Sequence, residues 1–246
     1  MPAIRIASSN VFWFQGRPFP PDSPGEPQPP ILKGLAEIWR KLNPHLLCLQ
    51  EVQSRSAFSA VREELGMSGS WCPGAELPQY GTAVLWRRGA LRADWRDAAP
   101  APQRAWQIAA LPRRGGGEVL VANCHLPSNR QLSDAAAAVR RIEEISTVLA
   151  QERKPDLVLG DFNEQPGGPL GEFLTKEGYV DVAVQTDRQT LGTTPKARRG
   201  DQIWVATGLL DRIRGYGVIP EGEMRTEVPG KQHLSDHFPL WADLEI

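Results

Sequence analysis

Four short apolar runs in this chain each stop at a residue that is costly to bury, and this pattern constrains the fold more than any other feature. Ile4 to Ala7 leads to Asn10, Leu46 to Gln50 to Glu51, Val119 to Cys124 to His125, and Leu157 to Gly160 to Asp161. Apolar runs of this length, bounded so sharply, read as buried strands. Two further strands begin with such residues: Asp201 precedes Gln202-Ile203-Trp204-Val205, and Asp236-His237 precede Phe238-Pro239-Leu240-Trp241. Ligand sites in sheet proteins favour the carboxyl ends of strands. In a mixed sheet an antiparallel strand starts beside its neighbour's end, so all six clusters are expected to line one mouth.

The remaining pattern alternates helix and strand. Apolar residues at 31, 35, 38 and 42 predict a helix over Ile31 to Leu42, ended by Asn43-Pro44. Ser54 to Leu65 and Ser133 to Gln151 read as further helices. In the last, Ala135, Ala138, Val139, Ile142, Ile145 and Leu149 form the inner face, and Arg140, Arg141, Glu143 and Glu144 face water. Strands are expected at Thr82 to Trp86, Ala105 to Leu111, Glu118 to Cys124, Asp156 to Gly160, Gln202 to Ala206, Ile213 to Ile219 and Pro239 to Ile246. The fold class is α/β: two mixed sheets with helices on the outer faces. No repeat and no mid-chain break appears, so the 246 residues read as a single domain. Arg17 to Pro30 holds seven prolines in fourteen residues and reads as an extended surface loop, either a spacer or a wall of the cleft.

The predicted mouth collects Asn10, Glu51, His125, Asp161, Asn163, Asp201, Asp236 and His237. Carboxylates so crowded repel at neutral pH unless a cation neutralises them or some stay protonated. Hard oxygen ligands suit Mg²⁺ or Mn²⁺ better than zinc, and such a metal typically neutralises substrate phosphate. The 28 basic and 29 acidic residues give a net charge of −1, which argues against a protein that grips long nucleic acid by bulk electrostatics. A local phosphate site remains compatible with it. The longest apolar runs fall far short of the roughly 20 residues a bilayer requires, and the N-terminus lacks a signal-peptide core. Three cysteines without a CxxC give no disulfide framework, so a reducing, cytoplasmic setting is expected.

Asn10, Leu49-Gln50-Glu51, His125-Leu126, Gly160-Asp161-Phe162-Asn163, Asp201-Gln202-Ile203 and Ser235-Asp236-His237 together resemble the ordered motif set of the endonuclease/exonuclease/phosphatase superfamily. Each piece alone is common; six in order, each at a predicted strand boundary, are specific. The resemblance implies a four-layer α/β sandwich and metal-dependent cleavage of phosphoester bonds; we expect a monomer that acts on nucleic acid or another phosphoester. It implies Glu51 as the main metal ligand with Asn10 beside it, and Asp236 as a further metal or water ligand. Asp161 would orient or deprotonate the attacking water, and Asn163 would support the phosphoryl oxygens. His237, paired with Asp201, would hydrogen-bond the scissile phosphate, and His125 would contact it. The choice of base between Asp161 and His237 stays open. The abasic-site endonucleases and tyrosyl-DNA phosphodiesterases of this superfamily carry an Asp two residues after the first Asn, where this chain has Phe12.

Other chemistries fit less well. His233 and His237 have the spacing of a zinc pair on a helix, but the Glu of HExxH is missing and the segment reads as strand. No GxSxG elbow or Walker loop is present. The basic cluster Lys196-Ala197-Arg198-Arg199 is either a solvated loop or a phosphate-binding rim, with Arg198 and Arg199 as its substrate contacts. Arg104 and Arg130 are further candidates. Trp13 and Trp71 could stack a base, and core packing accounts for Trp39, Trp86, Trp204 and Trp241. Three functions follow: a nuclease, a phosphatase or phosphodiesterase on a small or lipid-like phosphoester, and a binding module that has lost catalysis.

Overall fold

A computed structural model describes residues 3–19 and 24–246. Residues 20–23, inside the proline-rich segment, lie outside the described residues, so the loop expected there is described only at its flanks. In chain order the strands are β1 (Ala3–Asn10), β2 (Leu46–Gln50), β3 (Ser68–Cys72), β4 (Thr82–Trp86), β5 (Ala90–Asp94), β6 (Ala105–Pro112), β7 (Glu118–His125), β8 (Leu157–Asp161), β9 (Tyr179–Asp181), β10 (Asp201–Ala206), β11 (Ile213–Val218) and β12 (Leu240–Glu245). They form two mixed six-stranded sheets, ordered β11-β12-β1-β2-β4-β3 and β5-β6-β7-β8-β10-β9.

The sheets pack face to face because each central strand is apolar on both faces, with successive side chains pointing to opposite sides. Ile6, Leu46 and Cys48 meet Val121, Leu157, Leu159 and Ile203 between the sheets. Ala7, Leu47 and Leu49 turn the other way, against α1 (Pro29–Leu42) and α2 (Arg55–Leu65). On the far side, Leu120, Ala122 and Val158 pack beneath α3 (Asp134–Leu149) and α4 (Pro169–Lys176). The result is the four-layer α/β sandwich. No helix among the described residues is long and apolar enough to cross a membrane.

Several boundaries differ from the sequence reading, each for a local reason. α1 starts two residues early: Pro29 and Pro30 occupy its first turn, where a missing N–H leaves no hydrogen bond unmade. α3 ends at Leu149 rather than Gln151, and its inner face is rotated. Val139 is 58% exposed, while Arg141 and Glu144 point inward. Both are held by tertiary hydrogen bonds. Arg141 donates to Pro127 O at 2.8 Å and pairs with Glu164 at 3.0 Å; Glu144 accepts the Gln103 N–H at 2.7 Å and pairs with Arg140 at 3.1 Å. β3, β5, β9 and α4 had no counterpart in the sequence reading.

Glu144 therefore fastens the segment that leads into β6. Burial pushes its carboxyl up to about 7, so the folded state binds a proton more tightly there than the unfolded chain. The stability this contributes is present below the ordinary pKa of about 4.5 and is lost as pH rises to about 7. Glu144→Gln, which keeps the acceptor for Gln103, is expected to flatten the fall of Tm with pH across that window. A calorimetric pH series that leaves the two proteins parallel would contradict this.

Candidate active site

Strand register assembles the polar stops. β7 and β8 run parallel with His125 opposite Asp161, and β8 and β10 run antiparallel with Asp161 opposite Asp201. In the other sheet Asn10 ends β1 beside Gln50 at the end of β2, so Glu51 follows at the same edge. Ser235 donates to Asn10 O at 2.8 Å and so delivers Asp236 and His237 to this edge from the C-terminal side. All six clusters lie at one end of the sandwich. Ligand atoms of Glu51, His125 and Asp161 lie within 4.8 Å of one another, as do those of Asp161, Asp201 and His237.

The two histidines hold opposite charge states. His237 Nδ1 lies 2.8 Å from Asp201 Oδ2, and its Nε2 lies 3.9 Å from both Asp161 Oδ2 and Asp236 Oδ1. Burial opposes a charge on His237, but Asp201, Asp161 and Asp236 outweigh it and raise its pKa well above the ordinary value. Burial drives the pKa of His125 well down, aided by the Arg104 and His237 charges, so this ring is neutral. Arg104 Nη1 contacts its Nε2, and a guanidinium can only donate, so Nε2 is the acceptor and the proton sits on Nδ1. The approaches of that nitrogen to Asp161 at 3.5 Å and Glu51 at 3.8 Å are therefore not ion pairs.

Asp161 is fixed from two sides. Its Oδ1 accepts the Asn163 N–H at 2.9 Å and its Oδ2 accepts Asn10 Nδ2 at 3.0 Å. Asn10 Oδ1 accepts the Phe12 N–H at 3.0 Å, so both ends of that amide are engaged within the protein. The acid opposite it is less satisfied. Burial, then the Asp236 charge, push the Glu51 carboxyl up to about 7, and Glu51 Oε2 and Asp236 Oδ1 are buried without a hydrogen-bond partner. Unpartnered hard oxygens of Glu51 and Asp236 at one edge of the sandwich fit a divalent cation of the Mg²⁺ or Mn²⁺ kind. Glu51 (φ 59°) and Asn163 (φ 51°) also take left-handed backbone, a cost of about 1 kcal/mol or more each that surrounding structure must hold in place.

A cleft of about 1160 Å³ opens over this floor, and Asp161, Asn163, Asp236 and His237 line it. Arg198 also lines it, but Arg199 does not. The Arg199 guanidinium is buried against Asp181 at 2.7 Å, which corrects the reading of Arg199 as a substrate contact. Trp13 is likewise unavailable to a base: only 2% exposed, it stacks on Phe12 and packs against Tyr80, and its indole donates to Gln79 O at 2.9 Å. From the proline-rich segment, Arg17, Pro18 and Phe19 do form a cleft wall.

The sequence matches the profile of the Endonuclease/Exonuclease/phosphatase family over residues 7–237. The chain belongs to this family. No curated protein sequence matches it. D. rerio TDP2, solved with a single-strand DNA product, is 16% identical with a TM-score of 0.71, covering 99% of each chain. The human Nocturnin catalytic domain with bound sulfate is 20% identical, TM-score 0.69, over 98% of this chain and 94% of that one. The mannosyl-6-phosphatase of Bacteroides thetaiotaomicron VPI-5482 is 17% identical, TM-score 0.69, over 99% and 100%. At these identities the likeness is one of fold.

Two residues not singled out from the sequence, Tyr80 and Asn123, support the floor. Tyr80 packs edge-on against His125 at 5.7 Å and beneath the Arg104 guanidinium at 4.4 Å. Between the sheets Gln50 donates to Asn123 at 2.7 Å, and Asn123 donates to Leu49 O and Ala83 O at 3.1 and 2.9 Å. A polar residue inside an apolar strand was the available signal for Asn123. Replacing it by Leu strands these buried partners and is expected to cost roughly 3 kcal/mol in urea unfolding. A loss below ~1 kcal/mol would show that the link carries little.

Proposed function

We propose that the protein hydrolyses phosphodiester bonds in nucleic acid with the help of a divalent cation, Mg²⁺ or Mn²⁺. The reading is carried by one observation: buried carboxylate oxygens of Glu51 and Asp236 without partners, at the end of the sandwich where Asp161, Asp201 and His237 meet. Phosphoryl transfer requires positioning, charge neutralisation and an oriented water, and this inventory supplies a group for each. A binding module without catalysis would have no need to keep so costly a set of buried acids.

Glu51 and Asp236, with Asn10 beside them, would hold the cation, which when bound neutralises phosphate charge and polarises the ester. His237 donates from Nε2 to a phosphate oxygen while Asp201 fixes its ring through Nδ1. Asp161, locked by Asn10 and Asn163, orients the attacking water and is placed to take its proton. Asn163 lines the cleft beside the phosphoryl oxygens, and beneath them the buried His125 accepts from Arg104, whose charge has no carboxylate partner among the described residues. The three cysteines are free and buried, in keeping with action in a reducing compartment such as the cytoplasm.

Hydrolysis of bis(p-nitrophenyl) phosphate and of a labelled oligonucleotide is expected with Mg²⁺ or Mn²⁺ and is expected to stop with EDTA. Glu51→Gln and His237→Ala should each lower kcat at least ~100-fold with unchanged circular dichroism. Full activity in either variant would show the site to be misassigned.

A further inference from the structure

The turn over residues 193–199 is built to hold two cations at a set distance from the acid floor. Thr193 ties its base in three directions. Its N–H donates to Arg198 O at 2.7 Å, its Oγ1 accepts the Asp201 N–H at 3.3 Å, and its carbonyl accepts the Phe238 N–H at 2.7 Å. Arg199 anchors the other limb, through its guanidinium on Asp181 and its N–H on Gln165 Oε1 at 3.2 Å. Left-handed Ala197 (φ 53°) turns the chain between them. The turn is thus fixed to the strand of Asp201 and to the residue after His237, and Lys196 and Arg198 project from it into the cleft.

Neither Lys196 nor Arg198 has an ion-pair partner among the described residues, and the same holds for Arg17 and Arg130 on the other walls. In a chain of net charge −1, four unpaired cations around one cleft are a local arrangement. In the proposed reaction His237 meets the scissile phosphate at the floor, so cations on a separate rigid turn match a second anion. Phe19, half-buried and edge-on to Phe12 and Trp13, adds an aromatic surface to the same cleft. Its segment is clamped: Arg17 N–H donates to His233 O at 2.8 Å, and Lys231 Nζ to Pro18 O at 2.8 Å. An aromatic face beside a cationic track is how single strands are held, since a base stacks there only when it is unpaired.

We propose that Lys196 and Arg198 form a subsite for the phosphate flanking the scissile one, with an unpaired base against Phe19, so that the substrate is single-stranded nucleic acid. This rests on the phosphoesterase reading above, and the two fail separately. Lys196→Ala/Arg198→Ala is compared with wild type and with Arg114→Ala, which removes an exposed charge from the tip of the β6–β7 hairpin. The substrates are a fluorescein-labelled single strand, its blunt duplex and bis(p-nitrophenyl) phosphate. Anisotropy of the labelled strand in EDTA reads binding without turnover.

In the double variant the ratio of kcat/KM on the strand to that on bis(p-nitrophenyl) phosphate is expected to fall about tenfold or more. The slope of log Kd against log salt should shrink by about 1.4, two contacts at about 0.7 each. Arg114→Ala should change neither. An unchanged ratio and slope in the double variant would overturn the subsite and leave the hydrolase standing. Wild type cleaving the duplex as fast as the strand would overturn the single-strand assignment. If no substrate turns over with either metal, the hydrolase reading falls, while the anisotropy slope still decides the subsite.

Discussion

Crowding of negative charge at one buried end of the sandwich is the constraint on which the rest of the architecture depends. Glu51, Asp161, Asp201 and Asp236 converge where water is scarce, and like charges there repel far more strongly than at a surface. The protein meets this with one protonated imidazole, one buried guanidinium and hydrogen bonds that fix Asp161. What remains unmet, at one oxygen each of Glu51, Asp201 and Asp236, leaves room for a cation. Left-handed backbone at Glu51 and Asn163 belongs to the same bargain, because strained conformations persist only where the surroundings leave no alternative.

Much of this was legible from local sequence. An apolar strand that halts at Asn10, Glu51, His125 or Asp161 declares both its burial and its polar end, and register then brings the ends together without further information. The antiparallel starts at Asp201 and Asp236 were legible by the same logic. Less legible were features decided by a distant partner. Arg141 and Glu144 look like the wet face of a helix until Glu164 and Gln103 are placed beside them. Neighbouring arginines in an extended stretch point to opposite sides, so sequence had no way to tell that Arg198 faces the cleft while Arg199 seeks Asp181. β3, as Ser-Gly-Ser-Trp-Cys, lacks the apolar run that marks its neighbours, and β9 is only three residues long.

Floor and walls of the cleft have different origins. The floor comes from strand ends, whose positions follow from sheet pairing. The walls come from loops, which ordinarily move and vary. Here they are tied down by polar contacts: Thr193 to Asp201 and Phe238 at the floor, Arg141 of α3 to the 127–129 loop, and the 231–233 segment to Arg17 and Pro18 of the neighbouring wall. Such ties suit a site whose selectivity rests on the spacing between chemistry and recognition, since a wall that drifts relative to the floor loses the register of its substrate.

β1 lies between β2 and β12, and Ser235 reaches Asn10 across 225 residues of sequence. During synthesis β1 can therefore pair with β2 long before β12 exists, and His237 is made only after β2, β8 and β10. Contacts of such high separation make for slow, late assembly. Until β12 docks, one edge of β1 stays unpaired, so Asn10 and His237 come together only with that pairing.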